Sequence, residues 1–221
     1  LVVGLMIGTL HTWLITVVKL PPFVATLASL VGLRSFAKVL NPEISKLLGK
    51  EVTKVRADGD TFVLLSEWWV ALIVFLVLSL ACYILLSHTV WGRHIYAIGG
   101  NEEAAKLSGI RVNRVLVAVY TISGALAGLG GIVLTSRLGA ANPTYGTMAE
   151  LEVIAAVVVG GTSLMGGQGR ILGTLIGAFI IAVIKNGMNM MDVDPFNQKI
   201  VLGSVLLAAV LLDTMKRRTL K

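Results

Sequence analysis

The side chains that could do chemistry are few in this sequence and badly spaced for it. A phosphate cradle needs G-x-x-x-x-G-K-[ST], and no such run is present. The glycines Gly166, Gly167, Gly169 and Gly173 do not make G-x-G-x-x-G, because Leu172 stands where the third glycine belongs, and no strand pattern precedes them. Gly161-Thr162-Ser163-Leu164-Met165 approaches a nucleophile elbow, but Met165 replaces the glycine that lets the turn close. His11, His88 and His94 lack the spacing of a metal site. Asp58/Asp60 and Asp192/Asp194 fall in turn sequences, where solvated carboxylates are expected. The single cysteine, Cys82, lies in an apolar block and reads as a packing residue. We therefore expect no catalytic residue, no metal and no cofactor in this chain.

The surrounding elements explain why. Hydrophobic types make up 56% of the residues and charged types 14%, with a mean hydropathy of +0.86; about a quarter charged is usual for a soluble domain. The blocks Leu1 to Val18, Trp68 to Ser87 and Val115 to Ser136 carry no formal charge. Each approaches the ~20 residues a helix needs to cross ~30 Å of hydrocarbon. Their apolar residues do not alternate with polar ones, which excludes barrel strands and leaves helices. The fold class expected is all-α, a polytopic transmembrane bundle. The net charge of +7 needs no nucleic acid, since basic residues cluster near span ends. The chain opens inside an apolar run without a basic, cleavable leader, so we expect further sequence before Leu1.

Seven segments follow from the pattern: Leu1 to Val18, Phe23 to Leu40, Trp68 to Ser87, Val115 to Ser136, a short Leu151 to Met165, Ile171 to Met190 and Phe196 to Leu212. Lys19-Leu20-Pro21-Pro22 breaks the first from the second. Arg34 and Lys38 interrupt the second, which is expected to be short or tilted. The polar stretch Asn41 to Glu67 has a turn signal at Asp58-Gly59-Asp60. The basic tail Lys216, Arg217, Arg218 and Lys221 is expected in the cytoplasm. Counting back puts Arg170 and the loop with Arg93, Lys106, Arg111 and Arg114 on the same side, and the Asn142 loop and Asp192 turn opposite. One stretch resists the rule: Asn41 to Glu67 would lie outside although it carries Lys46, Lys50, Lys54 and Arg56.

Three further features bear on packing. Gly4/Gly8, Gly124/Gly128 and Gly173/Gly177 are small-xxx-small pairs, suited to close helix packing within the chain or against a second copy. Glu150 and Glu152 suit the positive end of a helix or would touch a polar substrate. Lys185 is the main charge well inside a segment, where it snorkels or lies near an end. No file of buried acids or histidines marks an ion pathway, so energy for any transport is expected from elsewhere.

The loop His88 to Arg114 is the most informative. Asn101 is a good N-cap, Glu102 and Glu103 favour the helix dipole, Ala104 to Leu107 are helix formers, and Gly109 suits the stop. A helix of roughly two turns is expected there, outside the membrane and suited to docking in a partner's groove. Gly92, Gly99 and Gly100 precede it, so a sharp turn into it is expected.

The run Gly92-Arg93-His94-Ile95-Tyr96-Ala97-Ile98-Gly99-Gly100-Asn101-Glu102-Glu103-Ala104-Ala105-Lys106-Leu107-Ser108-Gly109-Ile110 resembles the coupling-loop signature of the ribose/monosaccharide ABC-transporter permeases. Leu20 to Leu27 resembles that family's proline-marked helix. Asn142-Pro143-Thr144 with Gly146, Glu150 to Ser163, and Gly166-Gly167-Gln168-Gly169-Arg170 resemble its C-terminal half. The resemblance implies that residues 1–221 are one permease domain, roughly the C-terminal two-thirds of the family's, with 88–114 as its cytoplasmic coupling loop. It implies an inner-membrane transport subunit, not an enzyme, that works with ABC ATPase subunits, a second permease chain and a solute-binding protein. ATP and Mg would be bound by the ATPase. Arg93, Gly99, Gly100, Asn101, Glu102, Glu103, Ala104, Ala105, Lys106 and Gly109 would couple to that ATPase. Asn142, Pro143 and Thr144 would lie near the outer mouth, and Gly160, Gly161, Thr162 and Ser163 near the path. The cargo implied is a monosaccharide. Branched-chain amino acids or nucleosides on the same fold are the alternative, and a channel or secondary carrier working alone is a further one.

Overall fold

A segment rich in Leu, Ile, Val and Ala with no polar partner nearby must close its backbone hydrogen bonds on itself, which is what these segments do. The computed structural model describes residues 1–47, 55–56 and 64–219. The protein is an all-α polytopic bundle. Its elements are α1 (Val2–Thr16), α2 (Pro22–Leu47), β1 (Val55–Arg56), α3 (Trp68–His88), α4 (Val90–Gly100), α5 (Glu102–Leu107), α6 (Val112–Leu138), β2 (Ala140–Ala141), α7 (Ala149–Val159), α8 (Ile171–Met190) and α9 (Pro195–Thr219). Among the described residues, α2, α3, α6, α8 and α9 each contain a stretch long and apolar enough to cross a membrane.

The breaks have local causes. Pro22 opens α2, where its missing N–H costs nothing. Gly139, at φ +63, closes α6 in the left-handed region. Asp194 Oδ1 accepts from Phe196 N at 2.8 Å, so this acid caps α9 instead of standing free in solvent. Three boundaries differ from the sequence expectation: α9 runs on to Thr219, where an end at Leu212 was expected. α2 runs on through Asn41-Pro42-Glu43 to Leu47. The short segment expected over Leu151 to Met165 is helical only from Ala149 to Val159, after which Gly160 and Gly161 (φ +84) release the chain. The turn Asp58-Gly59-Asp60, with Lys50, Glu51 and Lys54, lies outside the described residues, as does Lys221.

The chain forms two compact units: Leu1–Val77 with Arg111–Tyr145, and Leu78–Ile110 with Gly146–Lys221. In the first, α1 packs along α6. Gly4 meets the backbone of Gly124 and Gly128, and Gly8 meets Tyr120 and Thr121. The partners run in opposite order, so the helices are antiparallel. At Gly8 a Cβ would lie 2.5 Å from the Tyr120 carbonyl oxygen, so only glycine allows this approach. β1 pairs antiparallel with β2, Val55 opposite Ala141 and Arg56 opposite Ala140. That ladder puts Val55 and Arg56 at the same end of the unit as the start of the Asn142 loop.

In the second unit, α7 and α8 form an antiparallel pair. Gly177 lies against the Ala156 backbone and Gly160 against Gly173. Ala155, Ala156 and Ile181 make its core, joined by Leu202, Val205 and Leu206 from α9. All three small-xxx-small pairs are thus used inside the chain. Glu152 of α7 and Lys185 of α8 form an ion pair at 2.6 Å, with side chains 34% and 43% exposed. Lys185 stands about 21 Å along α8 from its start, and a charge at that depth needs such a partner.

Two outcomes test this packing by thermal unfolding in detergent. Gly8→Leu is expected to destabilise by about 1–3 kcal/mol through overpacking. Gly32→Leu, whose Cβ position is open, should change little. For the ion pair, a cycle of Lys185→Met, Glu152→Gln and the double variant should give a coupling of about 1 kcal/mol; strict additivity would show that the pair contributes nothing.

Candidate functional site

The stretch between α3 and α6 holds two helices where the sequence suggested one. Thr89 caps α4: its hydroxyl accepts from Gly92 N at 3.2 Å and donates to Leu85 O at 2.5 Å. Gly92 lies so close to the backbone of Leu86 that a Cβ would collide with it. The glycines expected to make a sharp turn therefore sit inside α4, where two of them let other backbone approach: Gly92 here, and Gly99 at the far end.

Asn101 ends α4 and begins α5 with no linker between. Its backbone is extended, its N–H donates to Ala97 O at 3.1 Å, and its Oδ1 accepts from Ala104 N at 3.0 Å. The helix stops by a Schellman arrangement. Gly109 N donates to Lys106 O at 3.0 Å, Ile110 N donates to Ala105 O at 3.1 Å, and Gly109 takes φ +82. At six residues α5 is shorter than the two turns expected. Lys106 pairs with Glu102 at 2.8 Å and Glu103 at 3.1 Å. Its hydrogen bond to Glu102, then that to Glu103, raises the ammonium above its ordinary pKa. These groups are exposed, so the pairs order the face without adding much stability.

α5 has two faces. Ala105 is buried, whereas Leu107 is 90% exposed. Two residues at about 100° each place Leu107 on the opposite side of the helix. The sequence reading counted Leu107 as a helix former and left it out of the docking residues. The hydrophobe two places from a buried alanine was the available signal. Of the residues named for docking, Arg93, Gly100, Asn101, Glu102, Glu103, Ala104, Lys106 and Gly109 are exposed, Gly99 is half-buried and Ala105 is buried.

The other end of α4 is held from the side. Tyr96 Oη donates to Gly169 O at 2.8 Å. The backbone of Gly99 lies against Gly166 and Gly167, which take φ +86 and +75. The loop from Gly160 to Arg170 is tied to itself through Ser163 N to Gln168 O at 3.0 Å and Gly166 N to Ser163 O at 3.2 Å. Ser163 is 7% exposed, and its hydroxyl donates to Asp213 Oδ2 of α9 at 2.9 Å. A cavity of about 550 Å³ lies among Tyr96, Gly160, Gly161, Gly167, Gln168, Gly169, Arg170 and Gly173. Gly160 and Gly161 thus line a polar recess beside α4. Thr162 lies within reach of Thr174 at 3.5 Å, and Ser163 faces α9.

The remaining path residues belong to the other unit. Asn142 Oδ1 accepts from Thr144 N at 2.9 Å and from Thr144 Oγ1 at 2.7 Å, forming a tight Asx turn. Asn142 and Pro143 line a cavity of about 430 Å³ with Asn41, Thr135 and Tyr145, while Thr144 faces outward. Asn142, Pro143 and Thr144 thus belong to the first unit, and Gly160, Gly161, Thr162 and Ser163 to the second. Among the described residues no cluster of His, Cys, Asp or Glu could hold a metal.

Relatives give these features a context. The ribose import permease protein of Haemophilus influenzae is 42% identical over 220 residues, which cover 96% of this chain and 66% of the relative. The ribose import permease protein of Escherichia coli K12 is 52% identical over 149 residues, covering 67% and 45%. The xylose transport system permease protein of Escherichia coli K12 is 54% identical over 132 residues, covering 60% and 34%. In each case the match spans less than two thirds of the relative's own length. No solved structure matches the chain. The model of one family, branched-chain amino acid transport system / permease component, matches residues 1–210, and the chain belongs to that family.

Proposed function

We propose that this chain is the membrane-spanning permease subunit of an ATP-driven importer and that it helps form the path for a monosaccharide delivered by a solute-binding protein. The observation that carries this reading is α5, a short helix capped at both ends, joined to α4 without a linker and outside the apolar stretches of a permease-family chain. Relatives named for ribose and xylose import support a monosaccharide over the amino acids in the family's description.

The chain does no ATP chemistry in this reading. Partner ABC ATPase subunits bind ATP and Mg and move; a second permease copy or related chain completes the path. The protein lies in a bacterial inner membrane as a multi-pass subunit with its C-terminus cytoplasmic. One end of the second unit supports that orientation. There the Tyr96–Gly169 and Ser163–Asp213 bonds bring α4, the Gly160–Arg170 loop and the end of α9 together. Arg93, Arg170 and the Lys216-Arg217-Arg218 run lie at that end, as the positive-inside rule requires.

Docking would use the exposed face of α5. Leu107 inserts into an apolar pocket of the ATPase, ringed by Glu102, Glu103 and Lys106, while Asn101 and Gly109 hold the helix ends. A lone exposed leucine within a charged rim has the make-up of an interface anchor. Arg93, Gly99, Gly100, Ala104 and Ala105 shape the support behind it. Asn142, Pro143 and Thr144 belong to the outer mouth, and Gly160, Gly161, Thr162 and Ser163 to the inner end of the path.

Charge reversal by Glu102→Lys with Glu103→Lys, and separately Leu107→Asp, should each lower ATPase co-purification by about tenfold or more, as loss of a central anchor does. Wild-type recovery of the ATPase together with unchanged sugar-stimulated ATP turnover in both variants would remove the docking role. Sugar flux through liposomes containing this chain without any ATPase would instead favour a channel or secondary carrier.

A further inference from the structure

The contact between α4 and the Gly160–Arg170 loop is built from backbone. Gly99 meets Gly166 and Gly167 with no side chain between them, and a Cβ on Gly99 would lie 2.6 Å from Gly167 N. Two of the three glycines hold positive φ, so the loop presents its backbone at Gly99, where α4 also lacks a side chain. Tyr96, one turn earlier, adds its bond to Gly169 O across 73 residues of sequence.

We infer that Tyr96 and Gly99 are positioning residues that clasp α4 to the Gly166–Gly169 loop, so that displacement of α5 reaches the α7–α8 hairpin. The inference rests on the docking of α5 proposed above and goes beyond it by naming the joint through which movement leaves the docking helix.

Stiffness makes the joint effective. Asn101 is the last cap of α4 and the first of α5, so α5 has no slack against α4. A contact between backbones cannot be relieved by rotating a side chain. The loop in turn has short ties on every side. Gly160 ends α7 and packs on Gly173 of α8. Arg170 begins α8. Ser163 holds Asp213 of α9 at 2.9 Å. A push on the end of α4 is therefore delivered to the ends of α7, α8 and α9 at once.

Two substitutions separate this role from general packing. Tyr96→Phe keeps the ring and removes only the bond to Gly169. Gly99→Ala forces α4 and the loop apart. Gly187→Ala in α8 is the control, because its Cβ position is open. The chain is reconstituted in proteoliposomes with its ATPase and ribose-loaded binding protein; ATPase co-purification, ribose-stimulated ATP turnover and ribose uptake are measured. Tyr96→Phe and Gly99→Ala should lower ribose uptake and stimulated turnover about tenfold relative to ATPase co-purification, a coupling loss within the usual range. Gly187→Ala should retain both.

Full uptake and full stimulation in Tyr96→Phe would overturn the clasp, even if Gly99→Ala is too poorly folded to score. Loss in strict proportion to lost ATPase binding would overturn it too, since the contact would then only support α5. Absence of the ATPase from the wild-type complex would overturn the permease reading and this inference with it. ATPase present and the variants fully coupled would overturn this inference alone.

Discussion

Backbone meeting backbone is the interaction on which this structure depends. In lipid, burying one leucine against another gains little that the acyl chains do not already supply, so helices hold together by close approach and dispersion. Three contacts use this device. Gly4 and Gly8 admit α6 to α1; Gly160 and Gly177 join α7 to α8; Gly99 meets Gly166 and Gly167. The first two place apolar helices in register. The third lies at the end of α4 and joins it to the loop between α7 and α8. Remove the side chain at both surfaces and the contact becomes short and stiff; restore one methyl and the backbone must move.

Polar groups in the second unit follow the same economy. Lys185 and Glu152 satisfy each other, and Ser163 satisfies Asp213. Each pair joins segments far apart in sequence, and each adds direction to packing that small and apolar residues already favour. Neither pair resembles an ion pathway: each is a single bond between two helices or between a loop and a helix, not a file of titratable groups. α5 adds a surface of its own, with Leu107 outward and Ala105 inward.

Much of the fold was legible because its signals are local. Hydropathy and length marked the span over Trp68 to Ser87, and Arg170 and Met190 bounded α8. The caps of α5 were readable from Asn101, Glu102, Glu103 and Gly109, since a helix terminus is chosen by residues within one turn of it. What escaped was long-range. Gly92 and Gly99 read as breakers because a glycine in sequence does not reveal whether it serves a turn or a neighbour's backbone, and α4 was lost with them. Lys185 could be seen as unusual but not matched to Glu152, which is 33 residues away. Leu107 was visible as a helix former, yet its exposure depends on which face of α5 turns inward. The sequence likewise could not say which residues Asn142 and Gly160 would each be packed among.

The stretch after α2 shows how one weak structural contact can outweigh a stronger statistical rule. Its lysines argue for the cytoplasmic side, whereas the alternation of spans argues for the opposite one. The rule counts lysine and arginine near the span ends and gives acids little weight, so Glu43, Glu51, Asp58, Asp60 and Glu67 do not remove the conflict. The ladder of β1 with β2 is only two residues long on each strand, but it needs both strands at the same end of the first unit. Val55 and Arg56 therefore go with the start of the Asn142 loop, whatever the charge of the sequence around them argues.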